Sequence, residues 1–279
     1  MLGLDLKTFL TLSAFGAAIS TFGTLLGIFI KDYFFARSFE KWKQRQTLES
    51  IYQRYRDPLF LSACELASRL VEVDEHYPTV YLRSSVLESD PERQIQNSID
   101  DPYFKRHKLI STVYRMNSLL GWLELYRHEV THLRSGTNCH SKALEASVNL
   151  IRSTLADGQI NRASDWQDWR DTLIFRDELR AIGESMHDLH GNQRYVIGYG
   201  RFCERIETEE YSSAKRWLPV TLNFFLDLDM NDKDFRKIRI KKLIVNLVDL
   251  MTLLDKRSIP ERLAKKRKKI YVELKEVAT

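Results

Sequence analysis

The segment His128-Glu129-Val130-Thr131-His132 has the spacing H-E-x-x-H. Two imidazoles four residues apart on a helix share a face and can bind one zinc ion. A glutamate beside the first can take a proton from the metal-bound water. That chemistry is metal-assisted peptide hydrolysis, with His128 and His132 as ligands and Glu129 as base. Three features of the surrounding sequence oppose it. With Val130 at 0° and about 100° per residue, Met116, Leu119, Leu123 and Tyr126 fall within about 40° of it, and both histidines fall near 160°, on either side of the opposite pole. The histidines are thus predicted on the face turned away from the core stripe, whereas a catalytic metal needs a dry, shaped cavity. Arg127 and Arg134 bracket the motif, and cations beside a dication repel it. His140 lies eight residues on, past a helix end at Gly136, and the longer metzincin pattern is absent. The favoured reading is a solvated or partner-facing histidine pair without a cofactor, with a membrane-anchored zinc peptidase as the alternative.

Other chemistry-bearing residues are sparser. His187-x-x-His190 is expected at a helix end, where the helix dipole favours such side chains. Gly198-Tyr-Gly200 lacks the third glycine and the leading strand of a dinucleotide loop. With Arg194, Tyr195 and Arg201 around Gly198 and Gly200, the same loop could hold an anion; a plain turn between helices is the simpler reading. No Walker lysine, serine elbow or CxxC pair occurs. Cys64, Cys139 and Cys203 are distant in sequence and odd in number, which fits free, buried thiols in a reducing compartment.

The elements that must position these residues are helical. Gly (11) and Pro (6) are scarce among 279 residues and 29% are charged, a composition that favours long helices over a turn-rich β fold. A rod is predicted from Thr8 to Arg56, ended by Asp57-Pro58, then a short helix over "LFLSACELASRLVEV". A polar connection covers about 74–101. Asp101-Pro102 opens a long helix through Arg134. Ser141 starts another that Gly158 ends. Ser164-Asp-Trp-Gln167 reads as a capping box opening a helix to about Leu189. Two or three helices follow the glycines near 191–200, the first carrying Pro219. No segment alternates strictly enough for a strand, except around Tyr195–Ile197. The fold class is all-α: one N-terminal transmembrane helix continuing into a cytosolic bundle of six to eight helices. The expected division is an anchor over 1–30, a juxtamembrane rod over 31–57, a helical domain over 58–230 and basic helices over 231–279.

The anchor is the firmest expectation. Thr8–Ile30 holds no charged residue over 23 positions, a helix of about 34 Å against a hydrocarbon core of about 30 Å. That exceeds the apolar region of a signal peptide, so an uncleaved span is expected. Lys31, Arg37, Lys41, Lys43 and Arg45 follow it and only Lys7 precedes it. The positive-inside rule then puts the C-terminal side in the cytoplasm and the span in the inner membrane. Phe29, Tyr33, Phe34 and Phe35 cluster at the boundary, as interfacial aromatics do. Ser13, Gly16, Ser20, Gly23 and Gly27 are spaced +3, +4, +3, +4 and include a GxxxG. In lipid such a stripe allows close backbone approach, so it is read as a homo-oligomerisation face.

The basic character is C-terminal. From Asn231 on there are 15 Lys/Arg against 7 Asp/Glu, and the first 230 residues carry 28 against 31. Lys233, Arg236, Lys237, Arg239, Lys241 and Lys242 form one cluster, and Lys265, Lys266, Arg267, Lys268 and Lys269 another. Such clusters could contact anionic membrane lipid, a nucleotide or nucleic acid, or form a solvated tail.

The strings "LLGWLELYRHEVTHL" and "RYVIGYGRFCE", downstream of an N-terminal span, resemble uncharacterised bacterial membrane-anchored helical proteins. The layout is also similar to that of membrane effectors of bacterial antiphage systems, in which a soluble sensor domain governs a membrane segment. The resemblance implies a non-enzymatic, self-associating effector or signalling scaffold with an unidentified protein, nucleotide or nucleic-acid partner.

Overall fold

A computed structural model describes residues 6–29, 31, 33, 36–77, 80–88, 102–131, 139–156, 173–191, 193–208, 211–228 and 234–276. Among these the chain is overwhelmingly helical, with one small antiparallel hairpin. The helices are α1 (Leu6–Phe29), α2 (Ala36–His76), α3 (Pro102–Thr131), α4 (Cys139–Ala156) and α5 (Arg176–Ser185). The hairpin β1 (His187–His190) and β2 (Gln193–Val196) follows. Then come α6 (Tyr199–Glu207), α7 (Ser213–Phe225), α8 (Phe235–Asp255) and α9 (Glu261–Glu276). The chain forms two compact units, residues 1–50 and 51–279.

In the first unit, α1 is long and apolar enough over Phe9–Phe29 to cross a membrane, and none of that stretch is buried within the chain. Two of its hydroxyls are satisfied inside the helix: Thr21 Oγ1 donates to the Ala17 carbonyl at 2.6 Å and Thr24 Oγ1 to that of Ser20 at 2.8 Å. Hydroxyls bonded in this way need no water, as an apolar solvent requires. A Cβ at Gly16, Gly23 or Gly27 would meet no atom within 4 Å.

The expected helix end at Asp57-Pro58 is not observed. Helix α2 runs through Pro58 to His76, and the "short helix" is its second half. An interior proline removes one backbone bond and costs about 3 kcal/mol. Here Leu59, Ala63, Leu66, Ala67, Leu70 and Val73 continue the stripe begun by Ile51 and Tyr55, and all are buried. At about 1.5–3 kcal/mol for each large apolar side chain, that burial exceeds the proline cost.

The second unit is organised around α3, which packs against α5, α6, α7 and β2, while α8 packs against α4 and α9. Thr221 of α7 donates to Asn117 Oδ1 of α3 at 2.9 Å, a buried polar pair inside that packing. Arg69, fully buried on α2, joins three segments. Its Nε donates to Thr112 Oγ1 (2.7 Å), its Nη2 to the Val80 carbonyl (2.9 Å), and its Nη1 pairs with Glu72 (2.7 Å).

The region expected to be helical up to Leu189 divides differently. Helix α5 ends at Ser185, and the chain turns through Gly191, at φ +59°, into the hairpin. Its register pairs His187 with Val196 and His190 with Gln193. His187 and His190 are therefore strand residues, not helix-end residues. The capping-box positions 164–167 lie outside the described residues.

Replacing Arg69 with Ala strands the buried Val80 carbonyl and Thr112 hydroxyl and is expected to lower unfolding stability by about 3 kcal/mol. Arg69→Lys should recover little, because one ammonium cannot replace the guanidinium fork. Denaturant midpoints of the solubilised protein measure both; an unchanged midpoint for Arg69→Ala would refute this role.

Candidate functional site

The H-E-x-x-H residues diverge. Glu129 turns toward α2: Tyr55 OH donates to its Oε1 at 2.8 Å, and Arg54 Nη1 lies 3.2 Å from Oε2. Burial, together with the Glu129 carboxylate, pushes the Tyr55 hydroxyl pKa well up. His128, one residue earlier, turns toward α5. Its Nε2 lies 3.5 Å from Glu124 Oε1 and 3.8 Å from Glu184 Oε1. His132 and Lys233 lie outside the described residues. The would-be base is thus held by Arg54 and Tyr55 on one side of α3, and the first imidazole belongs to a group on another.

That group centres on Glu124, whose side chain is only 1% exposed. Arg127, three residues on, donates to its Oε1 through both Nε, at 2.8 Å, and Nη2. Arg152 Nη2, from α4, reaches Oε2 at 3.1 Å. Burial alone would raise the Glu124 pKa; the Arg127 hydrogen bonds and the charges of Arg127, Arg152 and His128 outweigh it and hold the carboxyl below its ordinary value. Arg152 is itself pulled down by burial, opposed by Glu124 and reinforced by Arg127, Arg180 and Arg176.

Close helix approach brings these groups together. A Cβ on Gly183 of α5 would lie 2.7 Å from the Leu120 carbonyl oxygen and 3.0 Å from Glu124 Cβ. One on Gly121 would lie 3.0 Å from Met186 Cβ. The two glycines let α5 and the hairpin seat against the backbone of α3, and Glu184 follows Gly183 directly. His187 Nε2 donates to the Gly121 carbonyl at 2.9 Å, and burial pushes its pKa below the ordinary value.

Glu124, His128 and Glu184 present ligand atoms all within 4.8 Å of one another. By donor type they suit a divalent cation. Arg127 and Arg152 already occupy both Glu124 oxygens, however, so an ion would have to displace them. Next to the group, a cavity of about 240 Å³ is lined by Arg127, Arg152, Arg180, Glu145 and Asn149 over Leu123, Tyr126, Val130 and Val148. Burial raises the Tyr126 hydroxyl pKa to about 12. Three guanidiniums beside apolar surface fit a small anionic group carrying an apolar part.

The basic C-terminal clusters are largely engaged within the fold. Arg239 is fully buried and donates to the Thr154 carbonyl at 2.7 Å. Arg236 caps the end of α7 through the Asn223, Leu226 and Asp227 carbonyls and pairs with Asp234. Lys241 pairs with Glu273. Lys266 pairs with Asp74 at 2.7 Å, and Arg267 with Asp249 at 2.9 Å. Lys265 pairs with Glu261 within α9 at 2.7 Å. Lys237 and Lys242 are half-buried, and burial lowers the Lys242 pKa. Lys268 and Lys269 are exposed.

The glycine loop is the hairpin and the start of α6. Arg194 and Tyr195 are exposed on β2, and Gly198 is the N-cap of α6. Arg201 pairs with Glu204 at 2.8 Å. Arg205, not singled out by the sequence, holds the hairpin through the Ser185 and His187 carbonyls and Asp188. Glu124 was also missed; its signal was a lone charge inside the apolar run "LLGWLELY", with Arg127 and His128 at i+3 and i+4.

No protein-family model, curated protein or solved structure matches this chain.

Glu124→Gln is expected to cost about 3 kcal/mol at neutral pH, because two guanidiniums lose their counter-charge. A carboxyl held below its ordinary value of 4.5 contributes stability that is fully present above that value. That contribution is lost as pH falls through the depressed value, so the variant should lose less stability than wild type below pH 4.5. Urea titrations at a series of pH values test both. Gly183→Ala should cost about 1–3 kcal/mol by overpacking α3 against α5, read from the same midpoints.

Proposed function

We propose that this chain is a single-pass, membrane-anchored and non-catalytic helical protein that self-associates through α1. It acts as an effector or signalling scaffold on the cytoplasmic side of the inner membrane. The observation that carries this reading is α1 itself. It is 24 residues long, wholly exposed over Phe9–Phe29, and has the Thr21 and Thr24 hydroxyls satisfied internally. A surface of that kind in water would drive aggregation; in a bilayer it costs nothing. The excess of Lys and Arg after the helix supports the cytoplasmic orientation. The open backbone at Gly16, Gly23 and Gly27, in line with Ser13 and Ser20, supports close packing against a second copy. The division into a membrane helix and a larger helical unit supports the effector layout, and a role in defence against phage extends it.

The peptidase alternative loses weight because Glu129 is tied to Tyr55 and Arg54. Nucleic-acid binding by the C-terminal clusters loses weight because Arg236, Lys241, Lys265, Lys266 and Arg267 serve internal ion pairs and Arg239 is buried.

Alkaline carbonate washing should leave the protein in the membrane pellet. The detergent-solubilised wild type should have a mass several times the 32.9 kDa chain, and the Gly16/Gly23/Gly27→Leu variant should fall to one chain. Release by carbonate would end the anchored reading, and an unchanged mass in the variant would end self-association through α1.

A further inference from the structure

The first turns of α2 carry two large exposed aromatics, Phe39 (63% exposed) and Trp42 (56%). Their rings stack at a centroid distance of 5.7 Å. At about 100° per residue the pair occupies one face of the helix, with Lys43 about 40° beyond Phe39 and Arg45 about 60° beyond Trp42. Arg37 and Lys41 fall on the far side of the helix, about 160° from Phe39, and Glu40 is the one acidic residue over 36–45. Along the same face the next residues are Gln46 and Glu49, both exposed. The apolar surface therefore stops after one turn. A seam between two copies would continue for several turns, so the patch is too short for a coiled coil. Aromatics flanked by Lys and Arg, immediately after an apolar span, are what the headgroup region of a bilayer accepts. A helix leaving along the membrane normal would carry Phe39 about 15 Å and Trp42 about 20 Å past Phe29, beyond an interfacial layer of about 5–8 Å.

We infer that residues 36–45 of α2 lie along the membrane surface, with Phe39 and Trp42 inserted at the acyl boundary and Lys43 and Arg45 on anionic lipid headgroups. This rests on the reading of α1 as a span. Anchoring and surface docking are then separate contacts, and only the second depends on lipid charge.

The test uses the full-length protein in vesicles of phosphatidylcholine alone or with about 30% phosphatidylglycerol. Quenching of tryptophan emission by lipids brominated near the headgroup is compared between wild type and Trp42→Phe. The part of the quenching lost in Trp42→Phe should be on the order of twofold larger with phosphatidylglycerol, and Lys43→Glu/Arg45→Glu should remove that increase. Equal quenching in wild type and Trp42→Phe, with the protein still resistant to carbonate, would overturn the surface contact and leave the span standing. Shielding of Trp42 from aqueous iodide without lipid quenching would overturn it in favour of a second copy. Release by carbonate would sink the span and this inference together.

Discussion

A carboxylate out of water must be matched by charge, and at Glu124 that requirement draws three helices together. Arg127 answers it from the same helix, Arg152 from α4, and His128 links it to Glu184 on α5. An unmatched ionised carboxyl in such a place would cost several kcal/mol, so α4 and α5 cannot leave α3 without exposing that cost. The glycines at 121 and 183 make the arrangement possible by removing side chains at the two closest approaches. Charge pairing and close backbone packing are thus one constraint. The cavity lined by Arg127, Arg152 and Arg180 is its by-product, because guanidiniums gathered around one carboxylate also line the adjoining space.

The first unit follows other rules. Nothing over Phe9–Phe29 is buried in the chain, so that surface is matched to its solvent and not to a core. Hydroxyls folded back onto the preceding turn and a row of positions without side chains serve the same end. They leave the Thr21 and Thr24 hydroxyls needing nothing from outside and a backbone that another helix can approach closely.

The all-helical character and the apolar N-terminal helix were legible because long-range periodicity and the absence of charge survive in the one-dimensional sequence. Pro58 misled because a local rule about proline was outweighed by a buried stripe extending on both sides of it. The hairpin was hard to read because two four-residue strands carry little alternation, and Arg205, which holds them, lies on the following helix. At the site, angular reasoning put His128 away from the apolar stripe, and it does lie off that stripe. It did not reveal that α5 and Arg152 cover that side of α3, since such coverage depends on contacts between segments far apart in sequence. The basic C-terminal stretch was read by net charge, whereas its partners Asp74, Asp249 and Glu273 are spread over three helices.

Helix α9 buries Leu263 and Ile270 in the core, packs Leu274 against it, and adds the ion pairs Lys266 to Asp74, Arg267 to Asp249, Arg262 to Glu75 and Lys241 to Glu273. Salt screens the exposed Arg262–Glu75 pair first and the nearly buried Lys266–Asp74 pair last, so the electrolyte dependence of this helix is set at its rim, while Leu263 and Ile270 keep it seated.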